Sequence, residues 1–86
     1  MAEYRVGFKP SAIKELKKLD DPLLVRIVLE IENLGSNPRP TGCKKLKGYK
    51  NLWRIRVGEY RIVYGISDSH RSIEIGRIRH RSRVYE

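Results

Sequence analysis

Residues 52–66 alternate apolar and polar side chains on both sides of a Gly58-Glu59 break. A two-residue loop with glycine first is a hairpin connection, and such a loop fixes the register of the strands it joins. Val57 then pairs with Tyr60, Arg56 with Arg61, Ile55 with Ile62, and Arg54 with Val63. One face of this ribbon carries Trp53, Ile55, Val57, Tyr60, Ile62 and Tyr64, and calls for a covering layer. The other carries Arg54, Arg56 and Arg61. Two arginines opposite each other on one face repel, an arrangement that makes sense around a bound anion. Guanidinium groups suit phosphate because each offers two parallel hydrogen bonds. One arginine in such a place would be an ordinary solvated side chain; three, beside a further basic stretch, mark a polyanion footprint.

The covering layer comes from the first half of the chain. Glu3 to Phe8 alternates Tyr4, Val6 and Phe8 with polar or small residues, which predicts a strand with one buried face. Pro10-Ser11 opens a helix whose inward residues are Ala12, Ile13, Leu16 and Leu19, with Lys14, Glu15, Lys17 and Lys18 outward. Asp20-Asp21-Pro22 breaks it, Asp21 being placed to cap a second helix and Pro22 to begin it. That helix runs to about Leu34 with Leu24, Ile27, Val28, Ile31 and Leu34 inward, and Gly35-Ser36-Asn37-Pro38 ends it. From Pro40 the period becomes strand-like: Cys43 to Leu46 as a short strand, the two hairpin strands, a turn over Ser67 to Ser72, and a last strand from Ile73 to Ile78. The predicted fold is α+β, in the order β-α-α-β-β-β-β, with two N-terminal helices packed on one face of a mostly antiparallel sheet. A length of 86 residues without linker or repeat predicts a single domain spanning 1–86.

Charge divides the chain. Residues 1–43 hold seven basic and six acidic side chains, whereas residues 44–86 hold twelve basic and four acidic. The excess in the second half draws polyanions and makes their binding salt-sensitive. It lies on strand-like segments rather than on one side of an amphipathic helix, which argues against a membrane surface. No apolar run approaches the length of a membrane span. With no signal-like N-terminus and a single cysteine, Cys43, the expected location is the cytoplasm.

A second basic element, Arg77 to Tyr85, carries Arg79, Arg81 and Arg83 around His80, with Ile78 and Val84 as apolar anchors. Tyr85 offers either an aromatic face for an unstacked RNA base or a buried phenol satisfied by one hydrogen bond. His80 is a candidate proton carrier beside a bound phosphate, whereas His70 sits in the polar turn Asp68-Ser69-His70-Arg71. No metal-ligand spacing, paired carboxylates, phosphate loop or nucleophile motif is present. A nuclease built this way needs no metal or cofactor: the 2′-hydroxyl of RNA attacks the neighbouring phosphate.

Lys45-Leu46-Lys47-Gly48, the hairpin Gly58-Glu59-Tyr60-Arg61-Ile62-Val63-Tyr64 and the ending His80-Arg81-Ser82-Arg83-Val84-Tyr85, after a strand and two helices, resemble the RelE toxins of the RelE/ParE superfamily over nearly the whole chain. The resemblance implies a toxin of a type II toxin–antitoxin system that cuts mRNA in the ribosomal A site and inhibits translation. It also implies a partly acidic cognate antitoxin, joined with the toxin in a hetero-oligomer. By matching motif, Arg61 clamps the scissile phosphate, with Arg54 and Arg56 as the basic positions of the preceding strand. Arg79 or Arg81 supports the leaving group, Tyr85 stacks on a base, and Lys45 and Lys47, with His80, contact the RNA. Some relatives carry lysine where this chain has Arg54 and Arg56. Arginine stays protonated, so these two supply charge and the general base is unassigned. The alternatives are a ParE-like toxin that poisons gyrase on the same scaffold and a non-catalytic RNA-binding module.

Overall fold

The period change near Pro40 separates two layers. The computed structural model describes residues 3–83. Its elements are β1 (Arg5–Phe8), α1 (Pro10–Lys17), α2 (Leu23–Ser36), β2 (Lys44–Lys45), β3 (Leu52–Val57), β4 (Tyr60–Ser67) and β5 (Ser72–His80), followed by a 3-10 turn at Arg81–Arg83. The strands form one sheet in the order β1-β5-β4-β3-β2, with β1 parallel to β5 and every other pair antiparallel. Gly58 takes φ 60°, the left-handed region a glycine-first hairpin turn requires. The β3–β4 register is the one expected from that turn, from Val57↔Tyr60 to Arg54↔Val63 and on to Trp53↔Tyr64.

Ile55, Val57, Ile62 and Tyr64 from the hairpin meet Ala12 of α1 and Ile27, Ile31 and Leu34 of α2 in one buried cluster. Each isoleucine taken fully out of water there contributes about 1.5–3 kcal/mol. Three local expectations are corrected. Asp21 does not cap α2: its N-cap is Pro22, and the first turn is closed by the Asp20 and Pro22 carbonyls, which accept from Leu24 and Arg26 N–H. Ile13 is 40% exposed, because the sheet-facing stripe of α1 runs Ala12, Glu15 and Leu16, with a carboxylate in it, and Leu19 continues it past the helix end. Phe8 ends the edge strand β1 and remains 36% exposed.

The last strand is longer than its apolar spacing suggests, reaching His80. Ile73 and Ile75 keep strict alternation, but the next buried residue is Ile78, so one residue must be absorbed. A β-bulge between the Val63↔Arg77 and Tyr64↔Ile75 pairs leaves Gly76 unpaired and restores the phase. β1 also stops pairing at Ile75, and α1 takes over the edge of β5 from there: Lys9 N–H donates to Ile75 O (2.9 Å) and Ser11 Oγ to Gly76 O (2.8 Å).

At the opposite end, Asp68 in the β4–β5 turn gathers three segments. Arg39 donates to both its oxygens (3.2 and 2.9 Å) and the Tyr4 hydroxyl donates to one (2.6 Å). The Arg39 bonds, then that of Tyr4, hold the Asp68 carboxyl below its ordinary range, and the Asp68 bond raises the Tyr4 phenol. Arg39 also lies over the Trp53 ring, 4.9 Å from its centroid.

Candidate nucleic-acid interface

Both helices pack on one side of the sheet, so the polar positions of β3, β4 and β5 share an open face. Its first cross-strand row is Arg56–Arg61–Arg79 and its second is Arg54–Val63–Arg77. Arg56 and Arg61 stand one step from a two-residue turn, at a non-hydrogen-bonded pair, where facing side chains come closest. The bulge at Gly76 is what brings Arg79 opposite Arg61, making the central arginine a neighbour of two others. Among the described residues neither Arg56 nor Arg61 pairs with a carboxylate; Arg56 Nε donates to Gly58 O (3.3 Å) and Arg61 Nη1 to Tyr60 O (3.4 Å).

Arg79 and Arg77 are held differently. Glu15 reaches the edge of β5 from α1, where its Oε1 accepts from Ile78 N–H (2.7 Å) and its Oε2 from Arg79 Nε (3.0 Å) and Arg77 Nη2 (3.3 Å). One carboxylate thus ends the unpaired edge of the strand and braces two guanidiniums. Its side chain is only 19% exposed. Sequence reasoning placed Glu15 outward with the lysines; its position three residues after Ala12 on the sheet-facing stripe was the available signal. We expect Glu15→Ala to lower stability by about 1–3 kcal/mol, because Ile78 N–H loses its acceptor, and Glu15→Gln, which keeps an acceptor, to lose less. Urea midpoints compared at constant slope measure both.

The remaining candidates divide. Lys44, not Lys45, is in register with Arg54; Lys45 pairs with Trp53, and its ammonium lies 5.9 Å from that ring's centroid. Lys47 and Lys45 both border a groove of about 740 Å³ on the open face, together with Arg54, Arg77 and Arg79. Arg81 stands at the hairpin tip in an exposed ion pair with Glu59 (2.7 Å), a contact of small energetic weight. His80 pairs with Tyr60, on the opposite side of the sheet from Arg61 and Arg79. Its ring meets Tyr60 edge-on at 5.5 Å, and its Nδ1 lies 3.0 Å from Ser82 Oγ. Tyr85 lies outside the described residues. Among the described residues no three His, Cys, Asp or Glu side chains cluster as a metal site requires. The arrangement offers fixed positive charge to a polyanion across three strands.

Comparison with known proteins gives this surface a context. A family model for the ParE toxin of type II toxin–antitoxin systems, parDE, matches residues 6–85. Toxin RelE3 of Methanocaldococcus jannaschii is 37% identical over 86 residues, covering 95% of this chain and 96% of its own. Among solved structures, the toxin–antitoxin complex RelBE2 from Mycobacterium tuberculosis matches with TM-score 0.83 at 31% identity, over 95% of both chains. The archaeal RelE–RelB complex from Pyrococcus horikoshii OT3 matches with TM-score 0.83 at 28% identity, over 98% of this chain and all of that one (100%).

Proposed function

The chain belongs to the RelE/ParE toxin family of type II toxin–antitoxin systems, and from that membership we propose that it is a ribosome-dependent mRNA endonuclease whose phosphate grip is the Arg56–Arg61–Arg79 row. The observation that carries the reading is the alignment of three arginines on one open face, in adjacent cross-strand positions.

In this mechanism Arg61 holds the scissile phosphate through paired hydrogen bonds, flanked by Arg56 and Arg79. The 2′-oxygen of the preceding ribose attacks phosphorus and the 5′-oxygen of the next nucleotide departs, giving a 2′,3′-cyclic phosphate and a 5′-hydroxyl. Charge builds on the phosphate oxygens as the fifth bond forms, and preorganised cations aimed there lower the barrier. Arginine does not take the proton of the attacking hydroxyl, so the general base lies outside the row. Arg54 and Lys47, bordering the groove, hold neighbouring backbone. By the family resemblance Arg79 or Arg81 supports the leaving group, and Tyr85 stacks on a base. His80, on the far side of the sheet, is better placed to brace the strand end through Tyr60 and Ser82 than to meet the phosphate.

The partner of the inactive state is an antitoxin with an acidic segment laid over the basic face, which competes with RNA by charge. Solved RelE chains in complex with RelB support a bound antitoxin in this family.

Mapping RNA ends after brief induction tests the activity. We expect new 5′-hydroxyl ends within translated codons, which disappear when ribosomes are withheld. A second reading, poisoning of gyrase, is favoured by one observation, the match to the ParE family model. Intact messages together with broken DNA would establish it instead.

A further inference from the structure

The open face is not uniformly charged. Leu52 and Val63 are half-buried on the open side of the sheet, Val63 one same-face position from Arg61 and Leu52 two from Arg56. Beside Leu52 stands Gly65, which adds no side chain to that floor. The segment after β2 flanks this patch: Leu46 N–H donates to Leu52 O (2.9 Å), Gly48 turns with φ 83°, and Tyr49 borders the groove with 59% of its surface exposed. Lys44 and Lys47 rim the same groove.

Single exposed apolar side chains are ordinary. Here an aromatic wall, an aliphatic floor and a cationic rim meet in one concavity, which Arg54, Arg77 and Arg79 also border. We propose that Tyr49, Leu52 and Val63 form a nucleobase subsite, which takes the unstacked base of a ribonucleotide flanking the phosphate held by the arginine row. The proposal rests on the reading of that row as a phosphate grip. A base fits better than an acidic peptide because Tyr49 offers a π face and the floor offers apolar area, whereas the rim cations serve either ligand alike. Stacking on an aromatic side chain is tolerant of base identity, so the subsite adds affinity and registers the strand without imposing a sequence.

The test is equilibrium binding of the full chain to a short single-stranded 2′-O-methyl oligoribonucleotide at low salt, a probe that 2′-oxygen attack cannot cut. A matched series carries one abasic position placed in turn along the strand. Tyr49→Ala should bind the base-bearing strand roughly tenfold more weakly, while Tyr49→Phe should match the wild type. One abasic position should weaken wild-type binding by a similar factor and make Tyr49→Ala and wild type equal. The subsite alone is overturned if Arg61→Ala weakens binding but Tyr49→Ala does not, or if the Tyr49→Ala loss persists across the whole abasic series. It is also overturned if Tyr49→Ala weakens capture of a Glu/Asp-rich peptide and leaves RNA binding intact. If the wild type does not bind the strand, or Arg61→Ala binds it as the wild type does, the subsite and the phosphate-grip reading fall together.

Discussion

Arg61→Ala should eliminate growth arrest and RNA cleavage while leaving the chain folded. Arg61 lies on the central strand of the basic surface, with Arg56 facing it from β3 and Arg79 from β5. Removing it takes away the middle cation of the row, and the loss of one preorganised charge at a developing anion lowers a rate by about 10²–10³. Stability should hardly move. Among the described residues its guanidinium makes one long bond, 3.4 Å to Tyr60 O, and its removal relieves like-charge repulsion with two flanking arginines. The thermal midpoint should therefore equal or slightly exceed that of the wild type. Arg61→Lys, which keeps the charge but loses the two-pronged geometry, should fall between wild type and alanine in cleavage rate. Full toxicity of Arg61→Ala in cells, at equal expression, would remove the residue from the site.

The second large effect falls on stability. Tyr64 belongs to the same Gly58 to Tyr64 motif as Arg61, yet it points to the opposite side of the sheet, where it is fully buried (0% exposed). Its hydroxyl donates to Pro38 O at 2.7 Å, so the ring fills the core while its tip fastens the segment after α2 to the sheet. Burial raises the phenol well above its ordinary range, which keeps the donor protonated. Tyr64→Ala should cost about 3–5 kcal/mol, against a total of roughly 5–15 kcal/mol for a typical domain. Tyr64→Phe should cost about 1–2 kcal/mol, because the Pro38 carbonyl is left without its donor. Urea unfolding of both variants measures the two terms separately. A phenylalanine variant as stable as the wild type would mean that the Pro38 bond contributes nothing net. Any loss of activity in the Tyr64 variants should track the folded fraction, in contrast to Arg61→Ala.

Gly58-Glu59 and its flanking alternation were enough to give, from sequence, the pairing of every residue from Arg54 to Val63 and the face each side chain takes. A two-residue turn leaves no freedom of register, and strict period-two alternation leaves none of facing. The helical stripe of Ile27, Ile31 and Leu34 was legible for the same reason, being periodic over a segment long enough to show it. The basic face of the hairpin could thus be read without coordinates.

What joins that face to the rest of the chain is non-local. Arg79 meets Arg61 because a bulge at Gly76 absorbs one residue, and because β5 lies between β4 and a parallel β1. Glu15 braces Arg77 and Arg79 from a helix 62 and 64 residues away in sequence. His80 and Lys45, both candidates for RNA contact on sequence, pair with Tyr60 and Trp53. The groove beside Tyr49 joins the segment after β2 to residues of β3, β4 and β5. Local periodicity states which side of an element is apolar. Which elements become neighbours, and hence which charges meet, depends on how the whole chain buries its apolar surface at once, and that is decided in three dimensions.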